Sequence, residues 1–275
     1  MRPPQACYSS EVALRLQLIG GGRMGEALLG GLLAGGWAQP GELAVVEMIA
    51  DRRAELSDRF RGVTVTDHPL EQADAVLAVK PDDAASAGNS LNEAGVTRVL
   101  SIAAGVTTAS LEAVLGDDAR VVRAMPNTPA LVGAGAAAIA PGRHAAEEDL
   151  VWATGILEAV GTVVVCEEPM LDAVTGLSGS GPAYVFWLAE TLTAAGIEVG
   201  LSPDMADALT RQTLLGAARL LTESGEPPHD LRAAVTSPGG TTARGIAELE
   251  DRGAAAAFIA AVAAATERSR ELGAS

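Results

Sequence analysis

The residues Thr236-Ser237-Pro238-Gly239-Gly240-Thr241-Thr242 bring hydroxyls, a proline and paired glycines together between two helical segments. Pro238 shapes the turn, Gly239 and Gly240 let backbone N–H groups approach a ligand without a Cβ in the way, and Thr241 and Thr242 open the next helix. A small carboxylate, held by N–H groups at a helix N-terminus, is the ligand this chemistry predicts. Far upstream, Gly20-Gly21-Gly22-Arg23-Met24-Gly25 fits GxGxxG through Gly20, Gly22 and Gly25, after an apolar run and before a helical pattern. There the glycines serve a tight turn, close approach of backbone to a pyrophosphate, and close packing of helix on strand. Arg23 and Met24 belong to the same candidate cofactor turn. Glu47 ends a second apolar run about twenty residues on, where a carboxylate accepts from an adenosine ribose hydroxyl. Lys80 is the only lysine in the chain and stands in Ala78-Val79-Lys80-Pro81, at the end of a third run; Asn127, in Met125-Pro126-Asn127-Thr128-Pro129, offers an amide to the nicotinamide side of a crevice.

These groups sit at the ends of short apolar runs, so a sheet must position them. Between Arg15 and Glu168, β-branched runs alternate with helical patterns, the signature of βαβ units and a mostly parallel sheet. Strands are expected at Leu16–Gly20, Leu43–Glu47, Val63–Thr66, Ala75–Val79, Val99–Ala103, Val121–Ala124, Ala136–Ala140 and Thr162–Val165. The fold class expected is α/β: an N-terminal Rossmann-type domain over 15–168 and an all-α dimerisation and substrate domain over 169–275, with 1–14 a disordered lead-in. In the second part, Leu171–Leu177 reads as helix broken by Ser178-Gly179-Ser180-Gly181, with Pro182 as the first residue of a new helix. Ser202 is a candidate N-cap ahead of Pro203. The last helix, Gly253 to Glu271, is apolar on nearly every side over its first half, which predicts a subunit interface.

Composition narrows the function classes. The 275 residues carry 19 basic and 35 acidic side chains, a net charge of −16, which argues against nucleic acid and anionic membrane as partners. Hydrophobic residues reach 48% with only 3% aromatic, the balance being Ala, Leu and Val that suit buried parallel strands and close helix contacts. Cys7 and Cys166 are too few and too far apart for a disulfide framework, and with His68, His144 and His229 scattered no metal site is expected. The N-terminus lacks a signal-peptide core and no run is long and apolar enough for a bilayer; with so few cysteines a reducing cytoplasm is the expected location.

The ordered set Gly20–Gly25, Ala78–Pro81, Met125–Pro129, Leu171–Tyr184 and Thr236–Thr242 resembles pyrroline-5-carboxylate reductase. The Ser-Gly-Ser-Gly-Pro-Ala-Tyr stretch and the Ser-Pro-Gly-Gly-Thr loop carry the resemblance most specifically. It implies the last step of proline synthesis: reduction of Δ1-pyrroline-5-carboxylate by a nicotinamide cofactor, in a homodimer whose helical domains interlock and complete one another's sites. The substrate carboxylate is then expected at Ser237, Gly239, Gly240 and Thr241, with Thr242 orienting or donating to the imine nitrogen; a threonine hydroxyl is a poor acid, so positioning and proton relay from water suit it best. Family members often place a hydroxyl or basic residue after the second strand to hold a 2′-phosphate, where this chain has Met48. Glu47 favours NADH, while Arg52 and Arg53 one turn later are placed to rescue NADPH, so both cofactors stay open. A reductase of another small imine or hydroxy acid, or a nucleotide sensor without turnover, shares the first domain; the second anion loop argues against the sensor.

Overall fold

The structure, a computed structural model, describes residues 13–273. The disordered lead-in expected over 1–14 therefore falls almost wholly outside the described residues. Eight strands form one sheet: β1 (Leu16–Ile19), β2 (Leu43–Val46), β3 (Thr64–Thr66), β4 (Asp74–Leu77), β5 (Arg98–Ser101), β6 (Arg120–Met125), β7 (Gly135–Pro141) and β8 (Gly161–Val165). Their order is β3-β2-β1-β4-β5-β6-β7-β8. All neighbours run parallel except β6 and β7, which pair antiparallel with Val122 opposite Pro141 and Met125 opposite Ala138. The reason is the connection: a single 3₁₀ turn, Thr128–Val132, joins them, too short for a crossover. Elsewhere helices make the crossovers: α1 (Arg23–Ala34), α2 (Ala50–Arg59), α3 (Ala84–Glu93), α4 (Thr108–Leu115) and α5 (Glu147–Leu157).

The inner strands of the sheet are buried on both faces, which is why they read as continuous apolar runs, while the edge strands β3 and β8 are partly exposed. Leu28, Leu29 and Leu32 of α1 and Ile156 and Leu157 of α5 pack on one face with Leu16, Leu18 and Val76. On the other, Leu91 of α3 and Leu111 and Leu115 of α4 meet Ile19, Leu77 and Val99. Trimming any of these leucines to alanine is worth about 2–5 kcal/mol. Gln17 breaks the apolar run of β1 and is fully buried. Its amide donates to the carbonyls of Leu70 and Ala73 at 2.9 and 3.1 Å and accepts from the Leu70 N–H at 2.8 Å, so it clamps the approach to β4 and leaves no orphaned group.

After β8 the chain is helical: α6 (Leu171–Val174), α7 (Gly181–Glu198), α8 (Pro203–Glu223), α9 (Pro228–Ala234), α10 (Thr241–Asp251) and α11 (Ala254–Gly273). The break expected at Ser178–Gly181 is milder than the sequence suggests, because the backbone widens into a π turn over Thr175–Gly179 and resumes as α7 with Pro182 in its first turn. Hydroxyls hold the widened turn: Thr175 Oγ1 donates to the Leu171 carbonyl at 2.7 Å and Ser178 Oγ to that of Val174 at 3.3 Å. Ser202 caps α8, its hydroxyl accepting from the Met205 N–H at 3.4 Å.

Two compact units emerge. One runs through Gly179 and includes Thr266 onward; the other is Ser180–Ala265. In the second, Ala206 and Thr210 are the buried residues, while Phe186, Trp187, Leu209, Leu215 and Ile259 lie more than half exposed. A helical unit so poor in core requires a further apolar surface to cover it.

Candidate functional site

The glycine turn joins β1 to α1 where the strand order reverses, β1 lying between β2 and β4, which is where doubly wound sheets open a ligand crevice. Gly20 has φ +105°, and a Cβ there would come 2.5 Å from the Ala78 carbonyl oxygen. At Gly25 a Cβ would fall 2.1 Å from the Gly20 carbonyl oxygen, so the first turn of α1 closes onto the strand only without a side chain. Gly22, the N-cap of α1, faces open space: no atom lies within 4 Å of an added Cβ. Packing thus accounts for two glycines of the fingerprint, and the third leaves a cradle over free helix N–H groups, the space a pyrophosphate needs. Arg23 and Met24 form the first helical residues beside it, Arg23 exposed. Gly21, which the fingerprint treats as arbitrary, is as constrained as its neighbours, since a Cβ would lie 2.4 Å from Leu56 Cδ1. No local pattern signals this, because α2 brings Leu56 there.

Glu47 follows β2 directly. Its Oε2 accepts from the Gly21 N–H at 3.0 Å and its Oε1 from the Ile49 N–H at 2.9 Å, so it fixes the glycine turn to the start of α2 while keeping lone pairs for a ligand. Arg52 Nε donates to the Gly21 carbonyl at 2.9 Å, and its other nitrogens bind Glu55 and Glu26. Arg53 donates to the carbonyls of Glu47 and Met48 at 2.7 and 2.8 Å. The Arg52 guanidinium is held above its ordinary range by its hydrogen bonds to Glu55 and Glu26.

The segment Ala78–Pro81 leaves β4 beneath the same turn. The Ala78 N–H donates to the Ile19 carbonyl at 2.8 Å, and Val79 Cγ1 would lie 3.3 Å from a Cβ on Gly20. Lys80 is exposed and Pro81 begins a short 3₁₀ turn. Asn127 lies beyond β6 with its amide already engaged: Nδ2 donates to the Ser178 carbonyl at 3.0 Å and Oδ1 accepts from the Ala136 N–H at 2.9 Å. One amide proton remains. A network that local patterns do not reveal forms where Glu168 accepts from the Thr108 N–H at 2.8 Å, from Thr108 Oγ1 at 2.7 Å and from Arg123 at 3.1 Å. Burial pushes the Glu168 carboxyl up, but the bonds from Thr108 and Arg123 outweigh it and hold it below the ordinary carboxylate range.

Ser237, Gly239, Gly240, Thr241 and Thr242 belong to the helical unit. Gly240 is the N-cap of α10 and its N–H donates to the Ser237 carbonyl at 3.0 Å, closing a turn in which Gly239 has φ +74°. A Cβ on Gly240 would lie 2.5 Å from Ser237 Oγ, so the hydroxyl sits over the turn. The first bond into the helix is from the Arg244 N–H to the Gly240 carbonyl, which leaves the N–H groups of Thr241, Thr242 and Ala243 directed out of the helix end. The Thr241 and Thr242 residues are exposed. This end of α10 can take a small anion.

Two family models match the chain: one described as "NADP oxidoreductase coenzyme F420-dependent" over residues 15–105 and one described as pyrroline-5-carboxylate reductase dimerisation over 168–272. A pyrroline-5-carboxylate reductase of Methanosarcina acetivorans is 41% identical over 264 residues, 94% of this chain and 98% of that one. The solved pyrroline-5-carboxylate reductase of Coxiella burnetii superposes with a TM-score of 0.89 at 37% identity, covering 95% of this chain and 99% of its own. That of Plasmodium falciparum, solved with NADP bound, gives 0.80 at 29% identity, covering 94% and 98%. Among the described residues no helix is long and apolar enough to cross a membrane.

Proposed function

This chain belongs to the pyrroline-5-carboxylate reductase family, and from that premise we propose that it reduces Δ1-pyrroline-5-carboxylate to L-proline, the closing step of proline biosynthesis, at the expense of NAD(P)H. The observation that carries the reading is relatedness across both units at once, 41% identity over 94% of the chain. The reduced nicotinamide supplies a hydride to the imine carbon. Everything else is the work of side chains and backbone.

Gly20, Gly22 and Gly25, with Arg23 and Met24, hold the pyrophosphate at the α1 N-terminus; Glu47 takes the adenosine ribose, Ala78–Pro81 line the floor, and the remaining amide proton of Asn127 serves the nicotinamide side. Support comes from the open cradle at Gly22 and the backbone bonds that fix Glu47. In the helical unit, Ser237, Gly239, Gly240 and Thr241 bind the substrate carboxylate, with the outward N–H groups of α10 as donors. Thr242 orients the imine nitrogen and relays a proton that water supplies. Placement of the two reacting carbons gives most of the rate.

The functional boundaries proposed are 15–168 for nucleotide and 169–275 for dimerisation and substrate, with 169–179 and 266–273 packed into the first compact unit. The chain is a homo-oligomer, with a homodimer through the helical part as its smallest unit, supported by the match to the dimerisation family and by the apolar side chains exposed on a single copy. A cytoplasmic location is the reading that sparse cysteine use supports. Purified protein given Δ1-pyrroline-5-carboxylate and either NADPH or NADH should consume the reduced nicotinamide, followed by its absorbance; no consumption with either, despite measurable nucleotide binding, refutes the assignment.

A further inference from the structure

In the turn after β2 the charged groups already have partners. Glu47 is locked by the N–H groups of Gly21 and Ile49, so its carboxylate cannot swing away from the ribose side of the crevice without breaking both bonds. A phosphate on the ribose 2′ position would need a cation beside that carboxylate. Arg52 is spent on the Gly21 carbonyl, Glu26 and Glu55. Arg53 Nη1 is engaged by the carbonyls of Glu47 and Met48, and its Nη2 faces the Asp67 carboxylate at 3.7 Å. The turn residues themselves are apolar and open to solvent, Met48 at 76% and Ile49 at 65% exposure. The α2 N-terminus carries Asp51 in its first turn, so its dipole already faces a carboxylate. His68 is turned to Asp67, at 2.9 Å.

We infer that this chain binds NADH in preference to NADPH, with Glu47 as the discriminating residue and Arg52 and Arg53 as structural ties that hold the turn in its NADH-selecting form. The inference rests on the proposed nucleotide-dependent reduction. Glu47 has lone pairs left to accept from a 2′-hydroxyl and presents like charge to a 2′-phosphate.

The test is equilibrium titration of the purified protein with NADH and with NADPH, read by nicotinamide fluorescence, without pyrroline substrate. NADH should bind with a dissociation constant lower by about tenfold or more. Glu47→Gln removes the charge but keeps an oxygen for one of the two backbone N–H groups, and should narrow the gap by about tenfold. Met48→Arg, on an exposed side chain whose loss disturbs no core, should tighten NADPH relative to NADH by a similar factor. Equal or tighter binding of NADPH by the unaltered protein overturns the inference, as does a preference that both variants leave intact. Protein that selects NADH yet reduces no pyrroline substrate upholds this inference and defeats the proposed reaction; pyrroline turnover with NADPH bound as tightly as NADH does the reverse.

Discussion

Gly20 and Gly22 stand two positions apart and answer to different forces. At Gly20 the backbone is left-handed and the Ala78 carbonyl blocks any Cβ, so Gly20→Ala should cost about 1–3 kcal/mol or more of folding stability in a denaturant titration. Gly22 has extended backbone and open space, so Gly22→Val should change stability by less than about 1 kcal/mol while weakening nucleotide binding about tenfold or more. A destabilised Gly22→Val protein, or one with undiminished affinity, would refute the assignment of that space to the cofactor. At the other unit's site, Thr242→Ala should lower kcat by about 10–100-fold with the nucleotide KM little changed; unaltered turnover removes Thr242 from the reaction. The glycine turn before α1, the place of Glu47 after β2 and the turn that opens α10 were legible as local structure in the sequence, because spacing and residue type set them. The demand on Gly21 was not, since Leu56 meets it only through tertiary packing, and Arg52 and Arg53 looked free because their partners Glu26, Glu55 and the turn carbonyls are contacts of the fold.

Among the elements, the eight strands were readable to within two residues, because burial on both faces writes the inner ones as continuous apolar runs and β-branched residues mark the edge strands β3 and β8. Antiparallel β7 was not, for its direction is set by the length of the preceding connection and not by its own composition. Nor was the π turn before α7, which depends on hydroxyl-to-carbonyl bonds and on Asn127 reaching Ser178. Glu168 marked only the edge of the first domain in sequence, yet it joins three elements: the connection after β8, α4 through Thr108, and β6 through Arg123. Its folded-state pKa lies below the unfolded one, so its contribution is complete above the unfolded value and is lost as pH falls through the folded value. Glu168→Gln should therefore be less stable than the parent by about 1–3 kcal/mol near neutral pH, and the difference should shrink as pH drops below the ordinary carboxylate range. A gap independent of pH would assign the loss to packing.

At the scale of the molecule, a unit whose buried residues are Ala206 and Thr210 gains its stability from association. The melting temperature of the unaltered protein should accordingly rise with protein concentration. Ile259→Glu, at a side chain 72% exposed on a single copy, should shift sedimentation from oligomer toward monomer and abolish turnover; an unchanged sedimentation profile would place the interface elsewhere. The over-apolar first half of α11 is where the sequence predicts an interface, the prediction that Ile259→Glu tests, while the second half kept its role hidden. Residues from Thr266 onward return to the nucleotide-binding unit, where Ser269 Oγ donates to Asp172 Oδ1 at 2.7 Å and Thr266 is buried. A ribosome delivers chain at about 5–20 residues per second, N-terminus first. The nucleotide-binding unit thus waits for a piece synthesised after the entire helical segment, and a nascent chain stalled anywhere within that segment exposes an Asp172 that has not yet met Ser269.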